Sequence, residues 1–153
     1  MTQAYIGVIG VGTMGSALAL NFAEKGHDVV LWNLELEAVD RLIASVGDLA
    51  TRLQRCETLI DMVAALPVPR SIVLMIPAGA PVDQTIAALR PLLSVGDTII
   101  DGGNSDFRDT MTRTKSLEAA GLSYLGIGVS GGAEGARRGP SMMVGGTGSS
   151  YNR

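Results

Sequence analysis

Short apolar runs and stripes of helical period alternate along this chain. Residues 5–9 form an apolar run, and residues 16–25 a helix, with Met14, Leu18 and Phe22 as its buried stripe. Gly26 predicts the helix end, and His27 falls in the turn that follows. A second strand is predicted over residues 28–32, and a second helix over 35–45, with Leu36, Val39, Leu42 and Ile43 on one side. That unit has the form strand, helix, strand, which predicts parallel pairing. The pattern fades over residues 46–55, then returns as a helix over 57–66 that Pro67 and Pro69 break. Residues 71–76 read as a strand buried on both faces, 82–93 as a helix, and 98–101 as a strand. Ser105 or Asp106 caps a helix running to about Ala120, and residues 122–127 make the last clear strand. Such alternation predicts an α/β fold, a doubly wound and mostly parallel sheet of Rossmann type, in one domain over 1–153.

Between the first strand and helix stands Gly10-Val11-Gly12-Thr13-Met14-Gly15. In that position G-x-G-x-x-G is the turn of a dinucleotide site. The first glycine permits the turn, the second lets a pyrophosphate approach the backbone, and the third lets helix and strand pack closely. The helix N-terminus then offers free N–H groups to the phosphates. The alternative is a purely structural glycine turn.

Composition narrows the class. The chain has 153 residues, 46% of them apolar, and 20 glycines, which suits one α/β domain with many tight turns. A net charge of −3 gives no basic surface for nucleic acid or an anionic membrane. Cys56 is the single cysteine, so no internal disulfide is possible, as expected of a reducing compartment. The first residues lead straight into a strand, so no signal peptide is expected, and cytoplasmic location is the default. No metal site is read from the sequence.

In a sheet of this kind, ligands bind at the carboxyl ends of the strands. The segments 10–15, 33–35, 75–77 and 102–105 should converge there, joined by the glycine-rich stretch 128–132. Asn33 stands where a carboxylate would accept the ribose hydroxyls of NAD. Leu34, Glu35 and Glu37 follow it, with no arginine for a 2′-phosphate, which leans towards NAD over NADP. Arg41 reads as a solvated helical residue. In Asp101-Gly102-Gly103-Asn104-Ser105 two glycines expose the backbone beside an amide that both donates and accepts. A tight turn is the alternative there. Ser130-Gly131-Gly132 reads as a nest for a carboxylate or phosphate, or as a flexible loop. Asp83 reads as a first-turn helix carboxylate, and Arg137-Arg138 as a solvated pair.

Three stretches taken together carry a resemblance: residues 10–15, residues 101–110 (with Arg108-Asp109-Thr110), and Gly128-Val129-Ser130-Gly131-Gly132-Ala133-Glu134-Gly135-Ala136 followed by Gly139-Pro140-Ser141-Met142. The chain resembles the coenzyme domain of decarboxylating 6-phosphogluconate dehydrogenases over essentially its whole length. The related 3-hydroxyisobutyrate-type dehydrogenases share the first and third stretches, but usually lack Gly-Gly-Asn-Ser and Gly-Pro-Ser. The resemblance implies oxidation of 6-phosphogluconate with NADP or NAD, then loss of CO2 to give ribulose 5-phosphate in the pentose phosphate pathway. It assigns Gly10, Val11, Gly12, Thr13, Met14 and Gly15 to the pyrophosphate, and Asn33, Leu34 and Glu35 to the adenosine ribose. It assigns Met75, Ile76 and Pro77 to the nicotinamide half, Asn104 to both cofactor and sugar acid, and Ser130, Gly131 and Gly132 to the substrate.

Three departures accompany the resemblance. NADP-reading members usually have Asn-Arg-Thr where this chain has Asn33-Leu34-Glu35, and many have lysine where Pro77 stands. The family's catalytic lysine and glutamate lie on a helical domain that follows the coenzyme domain. Lys25 and Lys115 match neither, so no catalytic residue is expected in this chain, and it is expected to be inactive alone. The ending in Gly148-Ser149-Ser150-Tyr151-Asn152-Arg153, soon after Gly145-Gly146, reads as a truncation. The full-length family is expected to form homodimers, chiefly through the helical domain. The competing readings are a stand-alone dinucleotide-binding module without catalysis, and a dehydrogenase for another 3-hydroxy acid.

Overall fold

The computed structural model describes residues 5–152. The reading of the first residues as leading directly into a strand concerns residues 1–4, outside the described residues, as does Arg153.

Six parallel strands and one antiparallel edge strand form a single sheet in the order β3-β2-β1-β4-β5-β6-β7. The strands are β1 (Tyr5–Ile9), β2 (Asp28–Trp32), β3 (Leu53–Arg55), β4 (Ser71–Leu74), β5 (Thr98–Asp101), β6 (Ser123–Ser130) and β7 (Ser141–Gly145). The helices are α1 (Thr13–Glu24), α2 (Leu36–Ala44), α3 (Leu59–Ala65), α4 (Ala80–Leu89), α5 (Phe107–Glu118), α6 (Gly132–Arg138) and α7 (Gly148–Tyr151). The strand order reverses between β1 and β4, and this switch point opens a crevice at their carboxyl ends. The expected doubly wound sheet is therefore the one observed.

The core forms two clusters. One holds Ile9, Val30, Leu74, Ile99, Leu117 and Tyr124, and the other Val8, Leu18, Val29, Leu31, Val39 and Val73. Adjacent residues of β1, β2 and β4 fall in different clusters, as period-two alternation requires of strands buried on both faces.

Several boundaries differ from the sequence reading. Helix α1 starts at Thr13, inside the glycine motif, and its core face centres on Leu18 among Ala17, Ala19 and Ala23. Met14 and Phe22 are only half-buried, because small residues let α1 lie close to the sheet. Strand β4 stops at Leu74, leaving Met75 and Ile76 to turn over the switch point. The weak stretch 46–55 resolves into a 3-10 turn (Gly47–Arg52) and the short strand β3. The helix expected over 57–66 begins at Leu59, because Thr58 and Asp61 close a capping box around its first turn. Asp106, not Ser105, caps α5.

The larger differences lie after residue 127. Strand β6 runs on to Ser130, α6 follows, and β7 returns antiparallel to β6 with Val129 opposite Met142. Thr147 caps α7, and Ser150 is buried, donating to the Glu118 carboxylate at 2.8 Å.

Candidate functional site

The glycine turn leaves the carboxyl end of β1 at the switch point. Gly10 adopts φ +95°, and its N–H donates to the Trp32 carbonyl at 3.0 Å. A Cβ at Gly15 would overlap the Gly10 carbonyl oxygen and press on Met75, so this glycine sets the approach of α1 to β1 and β4. Gly12 differs from both. Its φ is −65°, and a Cβ there would meet nothing within 4 Å. The fold does not need a glycine at 12, so the open space is available to a ligand.

The N-terminus of α1 has no side-chain cap, and no acidic residue stands in its first turn. Its first N–H groups and the positive end of its dipole therefore face that open space. Residues 10–15 thus fit the pyrophosphate of a dinucleotide, which needs converging N–H donors and close backbone approach.

Asn33 lies beside the turn. Its amide oxygen accepts the Val11 N–H at 3.1 Å, and its amide nitrogen donates to the Glu35 carbonyl at 3.0 Å. One side chain thereby ties the glycine turn to the turn entering α2. Leu34 is 85% exposed, Glu35 stands at the N-cap of α2, and Glu37 lies in its first turn. The nearby cation Arg55, at the end of β3, is held by Asp40 at 2.8 Å and by Glu57. Arg41 is exposed on α2, as expected.

Across the crevice, Met75, Ile76, Gly102, Gly103 and Asn104 line a cleft of about 320 Å³, together with Met14 and Val129. The two loops are in direct contact. Gly102 N–H donates to the Leu74 carbonyl at 2.8 Å, and a side chain at Gly103 would overlap the Ile76 carbonyl. Pro77 is exposed beyond this cleft and does not line it. Asn104 is the one non-glycine among the described residues with positive φ, +62°, which asparagine tolerates better than most residues. It also lines a second, smaller cleft of about 150 Å³ with Asp101, Ser105, Phe107, Thr110, Gly126 and Gly128.

Beneath Asn104 lies a polar network that the sequence did not reveal. Asp101 is 1% exposed, and its carboxylate accepts from Gly103 N–H (2.9 Å), Ser105 Oγ (2.5 Å) and Tyr124 OH (2.8 Å). Burial and the adjoining Asp101 push the Tyr124 phenol well above its ordinary range, keeping it a donor. Arg113 joins the network from α5 and reaches Asp83 on α4. The Asp83 carboxyl is held below the ordinary range by that hydrogen bond. Asp83 stands in the first turn of α4, as expected, but with a specific partner.

Ser130, Gly131 and Gly132 form the corner between β6 and α6. Ser130 ends β6, and Gly131 (φ +104°) and Gly132 (φ +61°) turn the chain into α6. That helix is fixed to α1 by buried Asn21, whose amide donates to the Ala136 carbonyl at 2.8 Å, and by an Arg137–Glu24 ion pair. The expectation of two solvated arginines is thus corrected. Arg137 bridges two helices, and only Arg138, paired with Glu134 on its own helix, projects into solvent. His27 precedes β2, at the end of the sheet opposite the crevice, and is half-buried.

These features define a dinucleotide-binding domain of Rossmann type. The family model described as the NAD binding domain of 6-phosphogluconate dehydrogenase matches residues 5–153, and the chain belongs to that family. It is 48% identical over 148 residues to a decarboxylating 6-phosphogluconate dehydrogenase of Bacillus licheniformis, covering 97% of this chain and 31% of the relative. It is 47% identical, with the same coverage, to an NAD(+)-dependent decarboxylating enzyme of that name from Bacillus subtilis (strain 168). A solved Plasmodium falciparum 6-phosphogluconate dehydrogenase, studied apo, with its cofactor NADP+ and with 6-phosphogluconate, superimposes with a TM-score of 0.90. That protein is 34% identical, and the match covers 96% of this chain and 32% of the other. The chain therefore spans about a third of the length of these relatives. No helix among the described residues is long and apolar enough to cross a membrane.

Proposed function

We propose that this chain supplies the coenzyme site and part of the substrate site of a decarboxylating 6-phosphogluconate dehydrogenase. The reaction oxidises the 3-hydroxyl of 6-phosphogluconate and releases CO2 to leave ribulose 5-phosphate. The bound nicotinamide supplies the hydride acceptor. The N–H groups of residues 10–15 hold the pyrophosphate, and Asn33, Leu34 and Glu35 border the adenosine ribose. Met75 and Ile76 flank the nicotinamide half, with Pro77 just beyond them. Asn104, Ser130, Gly131 and Gly132 contact the sugar acid. The observation that carries this reading is the position of Asn104, shared by two adjoining clefts at the carboxyl edge of the sheet. One amide there offers both a donor and an acceptor between cofactor and substrate.

NAD is the preferred cofactor in this reading. An exposed leucine followed by two glutamates offers nothing to a 2′-phosphate, and Arg55 is already engaged by two carboxylates. Proton abstraction from the substrate hydroxyl needs a base within reach. Lys25 and Lys115 are exposed on α1 or just beyond it and on α5, so the base belongs to the family's helical domain.

The test is reduction of NAD and NADP by the protein as its source cell makes it, with 6-phosphogluconate or 3-hydroxyisobutyrate as substrate. Dependence on 6-phosphogluconate, with equimolar CO2 release, is expected, while residues 1–153 alone bind dinucleotide without turnover. Reduction with 3-hydroxyisobutyrate instead would make this a dehydrogenase for another 3-hydroxy acid. Tight dinucleotide binding without reduction of either cofactor would leave a binding module.

A further inference from the structure

Arg113 is 7% exposed, and its three guanidinium nitrogens reach the two segments that follow β4 and β5, whose residues Met75, Ile76 and Asn104 line the nicotinamide-side cleft. Nε donates to Asp83 Oδ1 at 2.7 Å and one terminal nitrogen to the Gly79 carbonyl at 3.3 Å, both on the side of the 75–79 loop and α4. The other terminal nitrogen donates to Ser105 Oγ at 3.2 Å and lies 3.7 Å from Asp101 Oδ2, on the side of the 102–105 loop. Arg113 does not itself line the cleft between these loops. Its planar fork fixes several acceptors at once, which a lysine ammonium on a flexible stem does not reproduce.

Building on the coenzyme reading above, we propose that Arg113 is a positioning residue that sets the width of the nicotinamide-side cleft. It locks the Met75–Ile76 wall to the Asn104 wall, with Asp83 as its anchor on α4 and Asp101 as its anchor under β5. On either side of Asn104, which adopts the left-handed conformation, the Gly103 N–H and Ser105 Oγ both donate to the Asp101 carboxylate. Among the described residues, the glycine turn and Asn33 share no hydrogen bond with this network. Its loss therefore affects the nicotinamide half and leaves the adenosine half alone.

The experiment is calorimetric titration of the complete natural protein, unaltered and as Arg113→Lys, Asp83→Ala and Asp83→Asn. The ligands are NAD and NADP, and ADP and adenosine 2′,5′-bisphosphate as probes of the adenosine half. Arg113→Lys is expected to raise the dinucleotide Kd by about tenfold, and Asp83→Ala by about threefold. Asp83→Asn, which keeps an acceptor, should recover part of the loss. The half-ligands should change by less than about twofold. The Asp83 side chain is 62% exposed, so its truncation leaves no buried gap and decides the matter if Arg113→Lys does not fold. Equal weakening of half-ligand and dinucleotide, or unchanged dinucleotide affinity in Asp83→Ala, would overturn the proposal. If the unaltered protein bound neither dinucleotide nor half-ligand, the coenzyme reading itself would fall, and this proposal with it.

Discussion

The Asn33 amide accepts the Val11 N–H and donates to the Glu35 carbonyl, so both of its ends serve the backbone around the glycine turn. A carboxylate could take the first bond but not the second, since it has no proton to give. Asparagine is thus a structural choice here, and it says little about the 2′ position of the ribose. In the proposed coenzyme site that position would be governed by Leu34, 85% exposed, and by Glu35 and Glu37 beside it. Leu34→Arg would introduce a cation free of any partner within its own turn except these glutamates. A charge-assisted hydrogen bond to a phosphate is worth roughly 1.5–3 kcal/mol. The ratio of NADP to NAD affinity should therefore rise by about tenfold or more. Titration of both cofactors checks this, and an unchanged ratio would mean that the 2′-phosphate does not lie at this turn.

At the scale of elements, the strand–turn–helix at β1 and α1 separates two uses of glycine that look alike in sequence. Gly15 is demanded by the fold, because a methyl there collides with the Gly10 carbonyl. Gly12 is not, because the same methyl meets open space. Gly15→Ala should thus lower the stability of the unliganded protein by roughly 1–3 kcal/mol, as overpacking does. Gly12→Val should leave that stability within about 0.5 kcal/mol yet remove dinucleotide binding. Denaturant unfolding and titration of each variant separate the two effects. A stable Gly12→Val that still binds normally would move the phosphates elsewhere.

The same scale shows what the sequence made legible. Strands β1, β2, β4 and β5 and helices α1 to α4 announce themselves because their burial comes from periodic apolar residues, whereas β3 falls in the weak stretch 46–55 and α5 is marked by its cap. Helix α6 contains two glycines and no apolar stripe, and it is held by Asn21 and Glu24, more than a hundred residues away. Strand β7 is exposed throughout, so no alternation marks it. The Asp101, Arg113 and Tyr124 network joins residues up to 23 positions apart, and Tyr124 on its own reads as one more apolar strand residue. Local pattern found the elements that bury their own apolar faces. It missed those defined by polar contacts between distant segments.

For the molecule as a whole, the sheet buries an apolar cluster on each face and leaves one polar edge, where the carboxyl ends of its parallel strands meet the turns. A dinucleotide lying along that edge would touch the β1–α1 turn, the β2–α2 turn and the loops after β4 and β5. Asn33 joins the first two and direct contact joins the last two, so one ligand would brace both pairs in the folded state and find no such set of donors in the unfolded chain. Folding and binding are then linked. At a ligand concentration of 100 times Kd the gain is about 2.7 kcal/mol. For a domain of this size that corresponds to a rise in Tm of roughly 5–10 °C. Thermal unfolding with graded NAD and NADP should show a Tm that climbs with the logarithm of ligand concentration, with NAD effective at the lower concentration. Leu34→Arg should narrow or reverse the order of the two cofactors, and Gly12→Val should flatten both curves while leaving the unliganded Tm in place. A Tm indifferent to both cofactors at millimolar concentration would remove the dinucleotide from this edge of the sheet.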